Sequence, residues 1–225
     1  MDILTQDSQT RYARSCASGS STLYRRAGKR CVDLVAACVG ISLTWPILIL
    51  CAVAVKLESP GPVLFPQTRA GRHGKQFTVF KLRTMRDRSE PDQLKITVAG
   101  DPRVTRIGKW LRKTKLDELP QLFNVLWGDM SLIGPRPEVL DYTRDYDSRQ
   151  RMVLQVKPGI TGLASLAFIH EEELLQEASN PQQFYRTTVL PRKLDLDLEY
   201  CETVRFSLDC QIACRTLARI VRLLF

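Results

Sequence analysis

Residues 34–55 read LVAACVGISLTWPILILCAVAV, with no charged side chain among them. A helix needs about 20 apolar residues to cross a bilayer, so the stretch is long enough for a membrane helix. It begins too late and runs too long for a secretory signal peptide. It is apolar on all sides, which disfavours a soluble-core helix. Two details argue against a plain crossing. Pro46 lies mid-stretch and lacks a backbone N–H, so the helix should kink or break at the Trp45-Pro46 pair. Both flanks are basic: Arg25, Arg26, Lys29 and Arg30 precede the stretch, and Lys56, Arg69, Arg72 and Lys75 follow it. A crossing helix wants one basic flank; two put both ends on the cytoplasmic side. The expectation is a helix-break-helix over residues 23–57 that dips in and returns, with Thr44 bonding back to a freed carbonyl. A kinked single crossing is the alternative.

Working outward, residues 1–22 are polar, rich in Ser, Thr and Arg, and aperiodic, the pattern of a disordered segment. Residues 58–225 are enough for one sizeable core. Glu58-Ser59-Pro60-Gly61-Pro62 makes a rigid exit from the apolar segment. Val63-Leu64-Phe65 and residues 76–83 read as short strands around a turn at residues 70–74. In the second strand Phe77, Val79, Lys81 and Arg83 share a face, which would project two cations. Asp101-Pro102 is expected to open a basic helix through Arg112. Residues 194–225 form a long amphipathic pattern with Arg215, Arg219 and Arg222 on one side. That pattern suits a membrane surface or a core-packed terminal helix equally.

The net charge of the 225-residue chain is +9, which points to anionic partners: nucleic acid, an acidic membrane or phosphorylated substrates. Seven cysteines, an odd number without a Cys-x-x-Cys pair, read as reduced, mostly buried thiols of a cytosolic compartment. With only His73 and His170 available, a histidine-based triad is disfavoured.

The chemistry concentrates at Asp117-Glu118. Pro120 fits only the first turn of a helix, so a helix starts there, with Leu119, Leu122, Phe123 and Leu126 on one apolar face. The acids then lie at its N-terminal end, after Arg106, Lys109, Arg112, Lys113 and Lys115. A carboxylate kept ionised there suits a nucleophile or a metal ligand for phosphate chemistry; a capping Asp on a solvated turn is the bland alternative. Downstream, Pro135-Arg136-Pro137 locks an arginine in a stiff loop, able to grip a phosphate. Lys157-Pro158-Gly159-Ile160-Thr161-Gly162 is a second rigid turn with exposed backbone amides, too short for a Walker loop.

Several blocks occur in order: Lys29-Arg30-x-x-Asp33, the proline-broken apolar run, Ser59 to Gln67, Phe80-Lys81-Leu82-Arg83-Thr84-Met85, Asp101-Pro102-Arg103-x-Thr105, Leu116 to Leu126, Gly128 to Pro137, and Pro158 to Ala164. Over about residues 25–165 the chain resembles the bacterial sugar transferases, the small monotopic phosphoglycosyl transferases. The resemblance implies an α+β, mainly helical fold. It implies a monotopic membrane protein with an N-terminal proline-broken re-entrant helix and a compact cytoplasmic catalytic domain. It also implies transfer of a sugar 1-phosphate from a UDP-sugar to a polyprenyl phosphate in the inner leaflet, with release of UMP. The family's nucleophile maps to Asp117 and its partner acid to Glu118. Its phosphate-binding cations map to Lys81, Arg112 and Arg136. Its magnesium requirement falls to Asp117 and Glu118, and its helix break to Trp45-Pro46, where many members have Ser-Pro.

Two polyanionic substrates repel each other, which favours a ping-pong route through a phosphosugar-aspartate. Lipids of the cytoplasmic membrane face are expected partners, nucleic acid is not, and a homo-oligomer is allowed for. The short N-terminus fits a minimal form rather than the remnant of a larger transferase. The chain departs from the family at Lys115 and over residues 165–172, a region suited to sugar selection. A membrane-tethered anion-binding protein without catalysis is the competing class; it is disfavoured because a general electrostatic surface needs no acid pair beside a Pro-Arg-Pro loop.

Overall fold

The computed structural model describes residues 23–86 and 97–224. Segment 1–22, expected to be disordered, lies outside the described residues. The elements run α1 (Lys29–Glu58), β1 (Leu64–Ala70), β2 (Gln76–Leu82), α2 (Arg106–Thr114), α3 (Gln121–Trp127), β3 (Ser131–Ile133), α4 (Leu140–Arg144), β4 (Gly159–Thr161), α5 (Leu163–Ala167), α6 (Glu171–Gln176), α7 (Pro181–Phe184), α8 (Leu190–Thr203) and α9 (Phe206–Leu224). The chain is mainly helical, with two small two-stranded sheets among the described residues.

Helix α1 has 30 residues, a length of about 45 Å at 1.5 Å per residue. Among the described residues it alone is long and apolar enough to cross a membrane. One side is bare, with Val35, Leu43, Trp45, Leu50, Val53 and Leu57 all exposed. The other side packs in two places. Ala37 and Ile41 meet Leu122, Val125 and Met130, whereas Leu48, Cys51 and Val55 meet Leu82, Leu111 and Leu116. Both ends are also tied down by polar contacts. Lys29 donates to Asp209 at 2.5 Å, and Arg30 caps the C-terminal carbonyls of α3 at Val125 and Leu126. Glu58 accepts the Ile107 N–H in the first turn of α2 at 3.0 Å, where a carboxylate is favoured by the helix dipole. Two ends 45 Å apart by length are therefore held by one body.

The helix runs without interruption through Pro46, where a break was expected. The Thr44 hydroxyl donates to the Gly40 carbonyl at 2.7 Å. The carbonyl freed by the proline is that of Ser42, four residues back, so the threonine bond does not satisfy it.

Strands β1 and β2 pair antiparallel from Leu64 opposite Leu82 to Ala70 opposite Gln76. Asn124, fully buried on α3, clamps β2: its amide donates to the Thr78 carbonyl at 2.7 Å and accepts from the Phe80 N–H at 3.3 Å. Strands β3 and β4 pair parallel, Ser131 with Gly159 and Ile133 with Thr161. That pairing sets the Pro135-Arg136-Pro137 loop against the turn at 157–162. A Cβ at Gly159 would stand 2.2 Å from the Gly134 nitrogen, so only glycine permits the approach. The Gly159 amide, in the turn where amides were expected to be exposed, is in use: it donates to the Pro135 carbonyl at 2.8 Å, while the Thr161 carbonyl accepts the Gly134 N–H at 2.9 Å.

Three further expectations are corrected. Helix α2 starts at Arg106, capped by the Thr105 hydroxyl, because Asp101 is engaged in an ion pair with Arg103. The amphipathic pattern over 194–225 is two helices, α8 and α9, parted at Val204-Arg205. In α8 Leu190, Leu194, Leu198 and Cys201 are buried against Tyr142, Tyr146, Tyr185 and Val189, a stripe at i, i+4 and i, i+3 spacing that makes it a core helix. Lastly, Cys31, Cys38, Cys210 and Cys214 are exposed; only Cys51 and Cys201 of the described cysteines are buried.

Candidate active site

Helix α2 ends at Lys115, whose left-handed backbone (φ 58°) turns the chain sharply into a 3-10 turn, Leu116–Glu118. A non-glycine residue in that region is strained, and such strain concentrates at functional sites. Leu116 packs with the second half of α1 and Leu119 with the first. The acid pair between them is thus fixed by the membrane-type helix itself. As expected, α3 follows directly, with Pro120 as its N-cap residue.

The two acids have different surroundings. Glu118 accepts from Lys81 Nζ at 3.1 Å and from Arg136 Nη1 at 3.1 Å, with a second, shorter bond from Arg136 Nη2. Burial by itself would raise the Glu118 carboxyl, but Arg136 and Lys81 outweigh it and hold the group well below the usual carboxylate range. Lys81 is pushed down by burial against the pull of Glu118. Asp117 is only 7% exposed, and its Oδ1 has no hydrogen-bond partner. Burial, then repulsion from Glu118, pushes its carboxyl up to about 6, although Lys81, Lys115 and Arg112 pull the other way. At pH 7 a group titrating near 6 is ionised in roughly nine molecules of ten. The solvated-turn alternative for Asp117 does not fit such burial.

The structure therefore brings Asp117, Glu118, Lys81 and Arg136 together. Arg112 lies within electrostatic reach of Asp117 but is held elsewhere. Its Nε donates to the Thr84 hydroxyl at 3.0 Å, Nη1 to Glu172 at 3.1 Å and Nη2 to the Thr97 hydroxyl at 3.3 Å. Arg83, expected to share a face with Lys81, turns away and is buried. It donates to the Ser59 carbonyl at 2.6 Å and the Pro60 carbonyl at 2.8 Å, fixing the exit of α1. Trp45 and Pro46 lie on the exposed side of α1.

Sequence reasoning missed the supports. Asn124 is one. Glu138, directly after the Pro-Arg-Pro loop, is another, with its partners Tyr185 and Lys193. Arg69 is a third: it donates to the Pro137 carbonyl at 3.3 Å. Period-2 alternation of Phe65, Gln67 and Arg69 along β1 could have marked Arg69. Nothing local could have joined Lys193 to Glu138.

The arrangement offers a partnerless buried carboxylate oxygen next to an ionised carboxylate clamped by two cations. It suits attack on, or coordination around, a phosphorylated ligand. Among the described residues no group of three or more His, Cys, Asp or Glu side chains gathers to hold a metal ion. Magnesium is often held by one or two carboxylates together with substrate phosphates, a mode that Asp117 Oδ1 and the ionised Glu118 fit.

Comparison with known proteins gives a consistent set. The sequence model of the family described as bacterial sugar transferase matches residues 24–223. A Caulobacter vibrioides protein named UDP-glucose:undecaprenyl-phosphate glucose-1-phosphate transferase is 39% identical over 86% of this chain and 69% of its own length. An Aeromonas hydrophila protein named UDP-N-acetylgalactosamine-undecaprenyl-phosphate N-acetylgalactosaminephosphotransferase is 46% identical over 61% of this chain and 33% of its own. The chain thus spans about a third of that relative. A Bacillus subtilis protein named uncharacterized sugar transferase EpsL is 38% identical over 86% of this chain and 87% of its own.

Proposed function

The chain belongs to the bacterial sugar transferase family, and from this premise we propose that it moves a sugar 1-phosphate from a UDP-sugar to a polyprenyl phosphate and releases UMP. The observation that carries the reading is Asp117: buried, with Oδ1 free of partners, and next to a Glu118 held by Lys81 and Arg136. A carboxylate oxygen with no hydrogen bond to break is ready to attack. Its oxygen forms a bond to the sugar-bearing phosphorus, and the bond from that phosphorus to the bridging oxygen breaks. UMP leaves with the electron pair. A polyprenyl phosphate oxygen then attacks the same phosphorus and restores the Asp117 carboxylate. Neither step needs the two anionic substrates to meet directly. Lys81 and Arg136 offset the charge that gathers on the phosphoryl oxygens. Magnesium, held by Asp117 and Glu118 with substrate phosphates, would add positive charge there when bound.

The membrane reading rests on α1. Both its ends attach to one body while its bare side exposes leucine, valine and tryptophan, which supports a monotopic, re-entrant seating rather than a crossing. Exposed Trp110 and Trp127, on the helices beside α1, suit the interfacial level where tryptophan is enriched. The basic flanks favour the cytoplasmic face of the inner membrane. Ala27→Cys and Pro60→Cys, each in a cysteine-free background, test this: labelling of both from the cytoplasmic side is expected, and labelling from opposite sides would sink the re-entrant geometry.

The activity is tested by UMP release from a panel of UDP-sugars with polyprenyl phosphate and magnesium. The panel is needed because similar relatives carry names with different sugars. Release with at least one donor is expected. None from folded, membrane-bound protein would move the chain to the class of anion-binding proteins without catalysis.

A further inference from the structure

Behind the site lies a buried ion network. Lys193, on α8, is 5% exposed. Its ammonium donates to Glu171 at 2.9 Å, to the Tyr185 hydroxyl at 3.1 Å and to Glu138 at 3.4 Å. Tyr185 donates its own proton to Glu138 at 2.5 Å. Each carboxylate leads to a different candidate phosphate-binding arginine. Glu138 ends the Pro135-Arg136-Pro137 loop, and its carbonyl accepts the Ala70 N–H at 3.0 Å. Glu171 opens α6, and its neighbour Glu172 holds Arg112 at 3.1 Å while its carbonyl accepts the Ala99 N–H.

We propose that Lys193 is a positioning residue: through Glu138 it fixes the loop bearing Arg136, through Glu171 it fixes the helix whose Glu172 holds Arg112, and so it sets the spacing of two guanidinium groups that a diphosphate bridges. The inference rests on the transferase reading for the identity of that diphosphate, the donor. Burial opposes charge on Lys193, yet Glu138 and Glu171 outweigh it and keep the ammonium protonated. A buried charge with its full set of partners is costly to disturb, so the network is stiff. The two sides differ in strength. Arg136 is clamped bidentately to a buried carboxylate, whereas the Arg112 pair ends on a Glu172 side chain that is 50% exposed. A half-exposed pair is weak, so the placing of Arg112 depends on Glu171 keeping α6 anchored to Lys193.

The test uses the purified full chain and inorganic pyrophosphate, with calorimetric binding and thermal melting measured together. Wild type is expected to bind. Glu171→Gln is expected to melt lower, because it leaves buried Lys193 short of one carboxylate, and to bind about tenfold more weakly while still folded, since misplacing a gripping group is costly even without contact loss. Because it acts through Arg112, adding it to Arg112→Lys should cost nothing further, whereas adding it to Arg136→Lys should cost the full factor. Lys193→Met should weaken binding more, and Lys193→Arg should recover part of it. Full affinity in Glu171→Gln, additivity with both arginine variants, or no pyrophosphate binding by wild type would each overturn the proposal. If Lys193→Met fails to fold, the Glu171 series still decides. A wild type that shows this coupling but releases no UMP would refute the transferase reading alone.

Discussion

Asp117 and Asp197 form a natural comparison. Both are almost fully buried, 7% and 5% exposed, and in both Oδ1 lacks a partner. Each lies near a glutamate that cations keep ionised, Glu118 by Arg136 and Lys81, and Glu138 by Lys193 and Arg69. Burial pushes both up, Asp117 to about 6 and Asp197 to about 7. The difference lies in the surroundings. Asp117 follows a strained turn and has Lys81, Lys115 and Arg112 pulling it down. Asp197 has only Lys193 pulling it down, and lines a small cavity of about 20 Å³ with Tyr146, Val153 and Leu194. A raised carboxyl is thus no mark of catalysis by itself; cations gathered where a phosphate can reach are.

The sharpest break in the comparison is Asp117→Asn. Turnover should fall by at least about 10³-fold, because the proposed route runs through a bond to Asp117. Stability should move the other way. The folded carboxyl titrates near 6 and the unfolded one near 3.8, so ionising Asp117 opposes folding. That cost is absent below about pH 4, grows from there to pH 6, and is complete above it, at most about 3 kcal/mol. Melting at pH 8 should therefore rise in the variant, and the gain should vanish at pH 4. Loss of activity without a pH-dependent gain would mean that Asp117 is not a strained ionised group.

Glu118→Gln should cost less, about 10²-fold in turnover, because Lys81 and Arg136 lose their clamp while the proposed nucleophile, Asp117, remains. It also removes a repulsive neighbour from Asp117. The acid limb of kcat/KM, expected near pH 6 in the wild type with a tenfold fall per unit below it, should shift to lower pH. A limb that stays at 6 would assign it to another group.

Much of this contrast was legible along the chain. The apolar run gave α1, Pro120 gave the start of α3, and the acid pair, Lys81 and Arg136, read separately along the chain, come together as one cluster. Those signals are local: a run of residues, a proline, a charge pattern. What escaped was non-local. Strands β3 and β4 are three residues each, and their parallel pairing joins Ser131 to Gly159 without any periodic signature. Arg83 and Lys81 are two residues apart on one strand pattern, yet Arg83 lies past the end of β2 and follows the exit of α1 instead. Lys193 meets Glu138 across 55 residues of sequence. No reading of either segment alone could have paired them, because the pairing is decided by how α8 packs its leucine stripe.

The smallest expected effect on activity belongs to Asp197→Asn, and it tests the comparison most directly. Asp197 titrates higher than Asp117, so its ionisation opposes folding over a wider window, from about pH 4 to pH 7. The variant should melt higher at pH 8, by at least as much as Asp117→Asn, and equally with wild type at pH 4. Its turnover should stay within about twofold, and its acid limb should remain near pH 6, because Asp117 is untouched. If instead the limb moved or turnover collapsed in a folded Asp197→Asn protein, the cavity behind Arg136 would belong to the catalytic machinery. The two aspartates would then differ in position but not in role.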